Sequence, residues 1–167
     1  MASLVTLPEI PFLSEAPKMD VSVVTRLRTM STFKLILFNN SKVFLMLTLG
    51  ILTCGILSVM SSFLMGGVVG LIVKIALGHG GTVPLVLAAL IPHGVFELTA
   101  FMSIAAIGIY FPLRVYGHIE GRPIDWMKEA KTYSLFGLGA YVVIFFAALI
   151  ETFVTPTIAA HFIPGLT

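Results

Sequence analysis

The chain has 167 residues, of which 57% are hydrophobic and only 11% charged, with a formal net charge of +2 and a mean hydropathy of +1.04. A soluble globular domain carries about a quarter charged residues, so this composition excludes a soluble core and implies an all-α, polytopic integral membrane protein. The small net charge, without a basic stretch interleaved with aromatics, excludes a nucleic-acid partner, and a single cysteine excludes an internal disulfide or a Cys/His zinc pattern.

Residues 1–19 contain Pro8, Glu9, Pro11 and Glu15 and lack the basic start and unbroken apolar core of a signal peptide. They read as an extended surface arm. From Asp20, a good N-cap, Val23, Leu27, Met30, Phe33 and Leu37 recur at helical spacing, with Arg26, Arg28 and Lys34 elsewhere around the turn. This predicts an amphipathic helix over 20–38, either lying on the membrane surface or packed on the protein's own loops. Phe38-Asn39-Asn40 is expected to end it and Ser41 to cap the next helix, dividing the chain into an N-terminal region, 1–40, and a transmembrane domain, 41–167.

Three apolar runs follow, at 43–77, 83–113 and 133–154, each longer than the roughly 20 residues a helix needs to cross a bilayer. The first is about 52 Å long as a helix, against a hydrocarbon thickness near 30 Å: too long for one upright span and tight for two. Gly50, Cys54, Ser58, Ser62, Gly66 and Gly70 recur at every fourth position, a stripe that lets a neighbouring backbone press close where lipid supplies no hydrophobic drive. Cys54 reads there as a small packing residue. Because the stripe passes through 60–62, where a hairpin would turn, one long tilted or kinked helix is favoured over two short ones. Charge agrees with three spans. Lys34 and Lys42 precede the first run, the connector 112–132 holds Arg114, Arg122, Lys128 and Lys131, and the positive-inside tendency places both on the cytoplasmic side. Trp126 is expected at the interface, His118 and Glu120 read as solvated, and His79 and His161 have no partner that the sequence assigns.

Ionisable side chains inside the later runs stand out. Pro92 lacks a backbone N–H and suits the first turn of a helix, which predicts a helix broken at 91–92 and restarting at 93. His93 and Glu97 then lie four residues apart on one face. With Phe111 and Tyr133 at one interface, Glu97 lies about 21 Å from it and His93 and Glu151 about 27 Å, at the helical rise of 1.5 Å per residue. The expectation is a polar cluster of His93, Glu97 and Glu151 facing the bundle interior, since a charge in hydrocarbon must pair, meet water or be neutralised. The plainer alternative makes Glu97 part of a helix start stabilised by the dipole and Glu151, with Thr152, Thr155 and Pro156, the exit from the membrane.

The strings IPHGVFEL at 91–98 and IETFVTP at 150–156, with FNN at 38–40 ahead of a long apolar run, resemble the stage II sporulation protein M family over about residues 36–158. Thr99 stands where that family commonly has proline, and Met65 where it commonly has asparagine. The resemblance implies a helical membrane protein with four spans here. In spore formers the family works with peptidoglycan-remodelling enzymes as their membrane anchor, with no established catalysis. Pro92, His93, Gly94, Phe96, Glu97, Glu151, Phe153 and Pro156 match the family's signature positions.

Three functions follow as expectations, all in the plasma membrane. A scaffold would organise other membrane or envelope proteins, or copies of itself, through the small-residue groove and the surface helix. An intramembrane enzyme would use the His/Glu/Glu set to bind a metal or activate water, and an oligomeric transporter would use a broken helix around a polar site. No nucleotide-binding loop, nucleophile elbow or dinucleotide fingerprint is present, so the residues specify no catalytic set and no cofactor. The scaffold leads.

Overall fold

A computed structural model describes residues 28–163. Those residues are helical without a strand, and four of the helices are long and apolar enough to cross a membrane. The expected arm at 1–19, the Asp20 cap and the first part of the amphipathic helix lie outside the described residues.

Helix α1, Met30–Leu49, starts at Thr29, whose Oγ1 accepts the Thr32 backbone N–H at 3.2 Å. It runs without interruption through Phe38-Asn39-Asn40, so the predicted break there does not occur. Ser41 does not cap a new helix: its hydroxyl donates back to the Leu37 carbonyl at 2.7 Å and lies 3.0 Å from the Tyr141 hydroxyl. The weak helix preference of asparagine is overridden by tertiary packing on either side of it, with Phe33 buried edge-on to Phe145 and Phe44 edge-on to Tyr141. Residues 30–38 are therefore the start of a membrane-length helix rather than a separate surface element.

Because α1 begins at Met30, its apolar length is spent by Thr53, and the chain reverses well before 60–62. A 3-10 turn at Gly50–Thr53 leads into Cys54 and Gly55, both left-handed at φ 52° and 84°, and helix α2, Ile56–Gly78, returns. A side chain at Gly55 would press on the Ile109 backbone at 3.2 Å, and glycine also adopts the left-handed turn at no steric cost. The favoured single long helix over 43–77 is thus two, and Cys54 is an exposed turn residue rather than a packing one.

Helix α3, Val83–Ile119, is capped by Thr82 and continues through both Pro92 and Pro112. The predicted break at 91–92 is absent, because packed neighbours let a membrane helix tolerate the donor that proline removes. At about 55 Å it outreaches the other helices. Asp125 caps helix α4, Trp126–Phe153, through its Oδ1 and the Lys128 N–H at 3.0 Å. After Val154, helix α5, Thr155–Ala160, follows.

The helices run up and down in turn. Phe33 meeting Phe145 and Phe44 meeting Tyr141 make α1 antiparallel to α4, and Phe111 meeting Tyr133 makes α3 antiparallel to α4. The Lys34 end of α1 and the connector at 120–125 consequently lie at opposite ends of the bundle, which corrects the expectation that they share a side. The core is a seam of Leu47, Ala100, Phe101, Ile104, Ala105, Ala140 and Ile144. Beside it, the Ser58 hydroxyl, fully buried, donates to the Leu47 carbonyl at 2.8 Å. A Cβ on Gly108 would overlap Ser58 Oγ and stand 2.8 Å from the Leu47 carbonyl oxygen, and one on Gly50 would also overlap Ser58 Oγ.

Three helices therefore touch through one hydroxyl and two missing side chains. Gly108→Val is expected to destabilise the bundle by about 1–3 kcal/mol, the usual cost of overpacking, visible as a lowered thermal midpoint in detergent. Gly66→Val, at a position where an added Cβ meets nothing within 4 Å, leaves that midpoint unchanged.

Candidate functional site

Phe111 and Tyr133 stack edge to face with centroids 5.2 Å apart. From that contact His93 lies 18 residues back along α3, and Glu151 lies 18 residues forward along α4. Equal rise on two antiparallel helices delivers them to one level.

The structure brings all three predicted cluster residues together. His93 Nδ1 or Nε2 and one carboxylate oxygen from each of Glu97 and Glu151 all lie within 4.8 Å of one another. His93 is 8% exposed, while Glu97 and Glu151 are half-buried. The His93 Nε2 to Glu151 Oε1 separation is 4.0 Å, beyond hydrogen-bond length. The other ring nitrogen, Nδ1, is engaged by the buried Thr155 hydroxyl at 3.3 Å, the long end of the range. With the proton on Nδ1 donating to Thr155 Oγ1, the Nε2 lone pair points to the carboxylates. Among the described residues no lysine or arginine lies within ion-pair distance of either carboxylate.

The set is one imidazole and two carboxylates, with an orienting hydroxyl behind the imidazole. Two carboxylates in such surroundings need a positive partner or shared protons, and an imidazole nitrogen with a free lone pair is a metal ligand or a proton acceptor.

The chain matches the profile of the Stage II sporulation protein M family over residues 11–156. It belongs to that family. An uncharacterized protein of the archaeon Methanocaldococcus jannaschii is 28% identical over 132 residues, covering 77% of this chain and 74% of that protein. No solved structure matches.

The two strings that suggested the Stage II sporulation protein M family, one in α3 and one across the α4–α5 junction, meet at this cluster. Of the other signature positions, Pro92, Gly94, Phe153 and Pro156 are half-buried around it and Phe96 is 50% exposed. Thr155 was readable only as part of a membrane exit; the overlooked signal is its i+4 relation to Glu151, which repeats the His93/Glu97 spacing and puts both on one face. The small-residue stripe divides. Gly50 and Ser58 are buried inside the bundle, Cys54 is in the turn, Ser62 is half-buried, and Gly66 and Gly70 are exposed. The remaining histidines stay apart from the cluster: His79 and His161 bond the Ile75 and Thr157 carbonyls of their own helices, and His118 bonds the Arg122 carbonyl in the connector.

A Glu97→Cys, Glu151→Cys pair in a Cys54→Ser background is expected to join through a short bifunctional thiol reagent. After cleavage at a protease site engineered into 120–125, the two halves then migrate as one species. The pair Leu98→Cys, Glu151→Cys, with Leu98 52% exposed on another side of α3, separates into two.

Proposed function

We propose that this member of the Stage II sporulation protein M family is a scaffold in the plasma membrane that holds partner proteins of the cell envelope, with the open face of α2 as the docking surface. The observation that carries the reading is the contrast among its glycines. Added Cβ atoms at Gly50 and Gly108 collide with the bundle, whereas at Gly66, Gly67 and Gly70 they meet nothing within 4 Å. Ser62, Phe63, Gly66 and Gly67 line a shallow groove on that face, and of the whole helix only Ser58 and Ser61 are buried. Close approach of backbones over small residues is the main source of helix association in lipid, where apolar surface alone gains nothing by leaving the bilayer. A transmembrane helix of an envelope protein is the occupant this surface suits, and the family resemblance supports the same reading.

The test is co-purification from native membranes with identification of the bound proteins. Gly66→Leu fills the groove where an added Cβ meets nothing within 4 Å, and Ser62→Leu fills it at the cost of one hydroxyl bond to the Ser58 carbonyl; each is expected to lower recovery of a specific envelope partner at least tenfold, about 1.4 kcal/mol of association. Glu97→Gln is expected to leave recovery unchanged. Normal recovery in both groove variants, or loss of homo-oligomers alone, refutes the reading.

A further inference from the structure

We propose that His93, Glu97 and Glu151 bind one divalent transition-metal cation of the Zn2+ type. The inference is independent of the scaffold reading, since the cluster lies on α3 and α4 and the groove on α2.

Three observations carry it. The first is convergence: three side chains from two antiparallel helices place ligand atoms within 4.8 Å of one another. Tetrahedral ligation at Zn–N and Zn–O distances near 2.1 Å sets neighbouring ligand atoms about 3.4 Å apart, so closure takes about an ångström of movement by flexible glutamate side chains. The second is the state of His93. It is more than nine-tenths buried, its Nδ1 is engaged by Thr155, and its Nε2 faces Glu151 at 4.0 Å without a hydrogen bond. A metal-ligating histidine ordinarily has its second nitrogen held in this way, which fixes the tautomer and aims the lone pair. The third is charge. Two carboxylates and a neutral imidazole sum to −2, no described lysine or arginine reaches them, and a divalent ion cancels that charge where solvent screening is weak.

Donor chemistry selects the ion class. Magnesium and calcium take six or more oxygens, whereas imidazole with carboxylates suits zinc and its neighbours. Three protein ligands leave a position open, and the Glu151 side chain, 31% exposed, gives the cation a way in. The bound ion ties the first half of α3 to the last turn of α4, so its clearest readout is stability.

The experiment uses the full chain purified in detergent without a histidine tag, stripped with chelator and titrated with Zn2+. Metal content after dialysis and the thermal midpoint are both measured. One zinc per chain and a raised midpoint are expected. Glu97→Gln and Glu151→Gln should each weaken binding at least tenfold, and Thr155→Val, which only orients His93, by about tenfold with stoichiometry retained. Substoichiometric zinc in the native protein overturns the proposal, as does equal affinity in both glutamine variants. So does binding that survives in those variants and falls instead with His79→Ala or His161→Ala, which puts the metal on exposed imidazoles. If a glutamine variant fails to fold, cobalt-loaded native protein decides. Strong visible bands of a four- or five-coordinate ion support the site, and the weak spectrum of an octahedral aqueous ion overturns it.

Discussion

The register between α3 and α4 is the constraint on which the rest of the molecule depends. It is set beside the connector, where Phe111 lies edge-on to Tyr133 and Arg114 reaches Glu129 Oε1 with both Nε and Nη2 at 3.0 Å. A partly exposed ion pair adds little stability, but two donors on one carboxylate oxygen restrict how the helices slide past each other. The fixed rise then carries that alignment along both helices with no further adjustment. A one-residue slip would turn α4 by about 100° and take Glu151 away from His93. The polar cluster at one end of the bundle is therefore positioned by contacts at the other.

α3 is the hub, since it packs against every other described helix. Lipid offers no hydrophobic reward for that packing, so it is achieved by close approach. Gly108 gives up its side chain to Ser58, Ser58 satisfies its own hydroxyl on Leu47, and Gly50 clears the remaining space. The same economy of small residues continues along α2 past Ser62, where no other described residue uses it. Within one helix, small residues first close the bundle and then present an unfilled surface.

Much of this was legible in the sequence. Composition and three apolar runs fixed the class, and counting residues outward from Phe111 and Tyr133 placed His93 and Glu151 at one depth, because helical rise is nearly invariant. The span count was obscured for a local reason. Asn39 and Asn40 have poor helix propensity, and taking them as a break shifted the first span toward the C-terminus until no room remained for a turn. The turn lies instead at Cys54-Gly55, whose left-handed backbone has no signature in a residue alphabet beyond one glycine, inside a stripe whose regularity suggested continuity. The break at Pro92 failed for a different reason: proline forbids one hydrogen bond, and whether a helix ends there is decided by neighbours that a single sequence does not display. Thr155 escaped notice because a threonine near a proline reads as a terminus until its partner across the bundle is known.

The irregular backbone and the polar side chains belong to one feature. Pro92 withholds a donor from the Ala88 carbonyl one turn before it, immediately ahead of His93. Across the interface the helix of Glu151 stops at Val154 and resumes with Pro156 in the first turn of α5. The donor missing at Pro92 and the end of α4 thus fall at the level where His93, Glu97, Glu151 and Thr155 meet. Unpaired backbone at membrane depth is tolerated only where protein covers it or a polar cavity meets it, and ionisable side chains there face the same restriction. Placing both at one level lets a single sheltered region meet two costs. It also explains why the proline and the acids occur in the same two short strings: each is acceptable to the membrane because of the other.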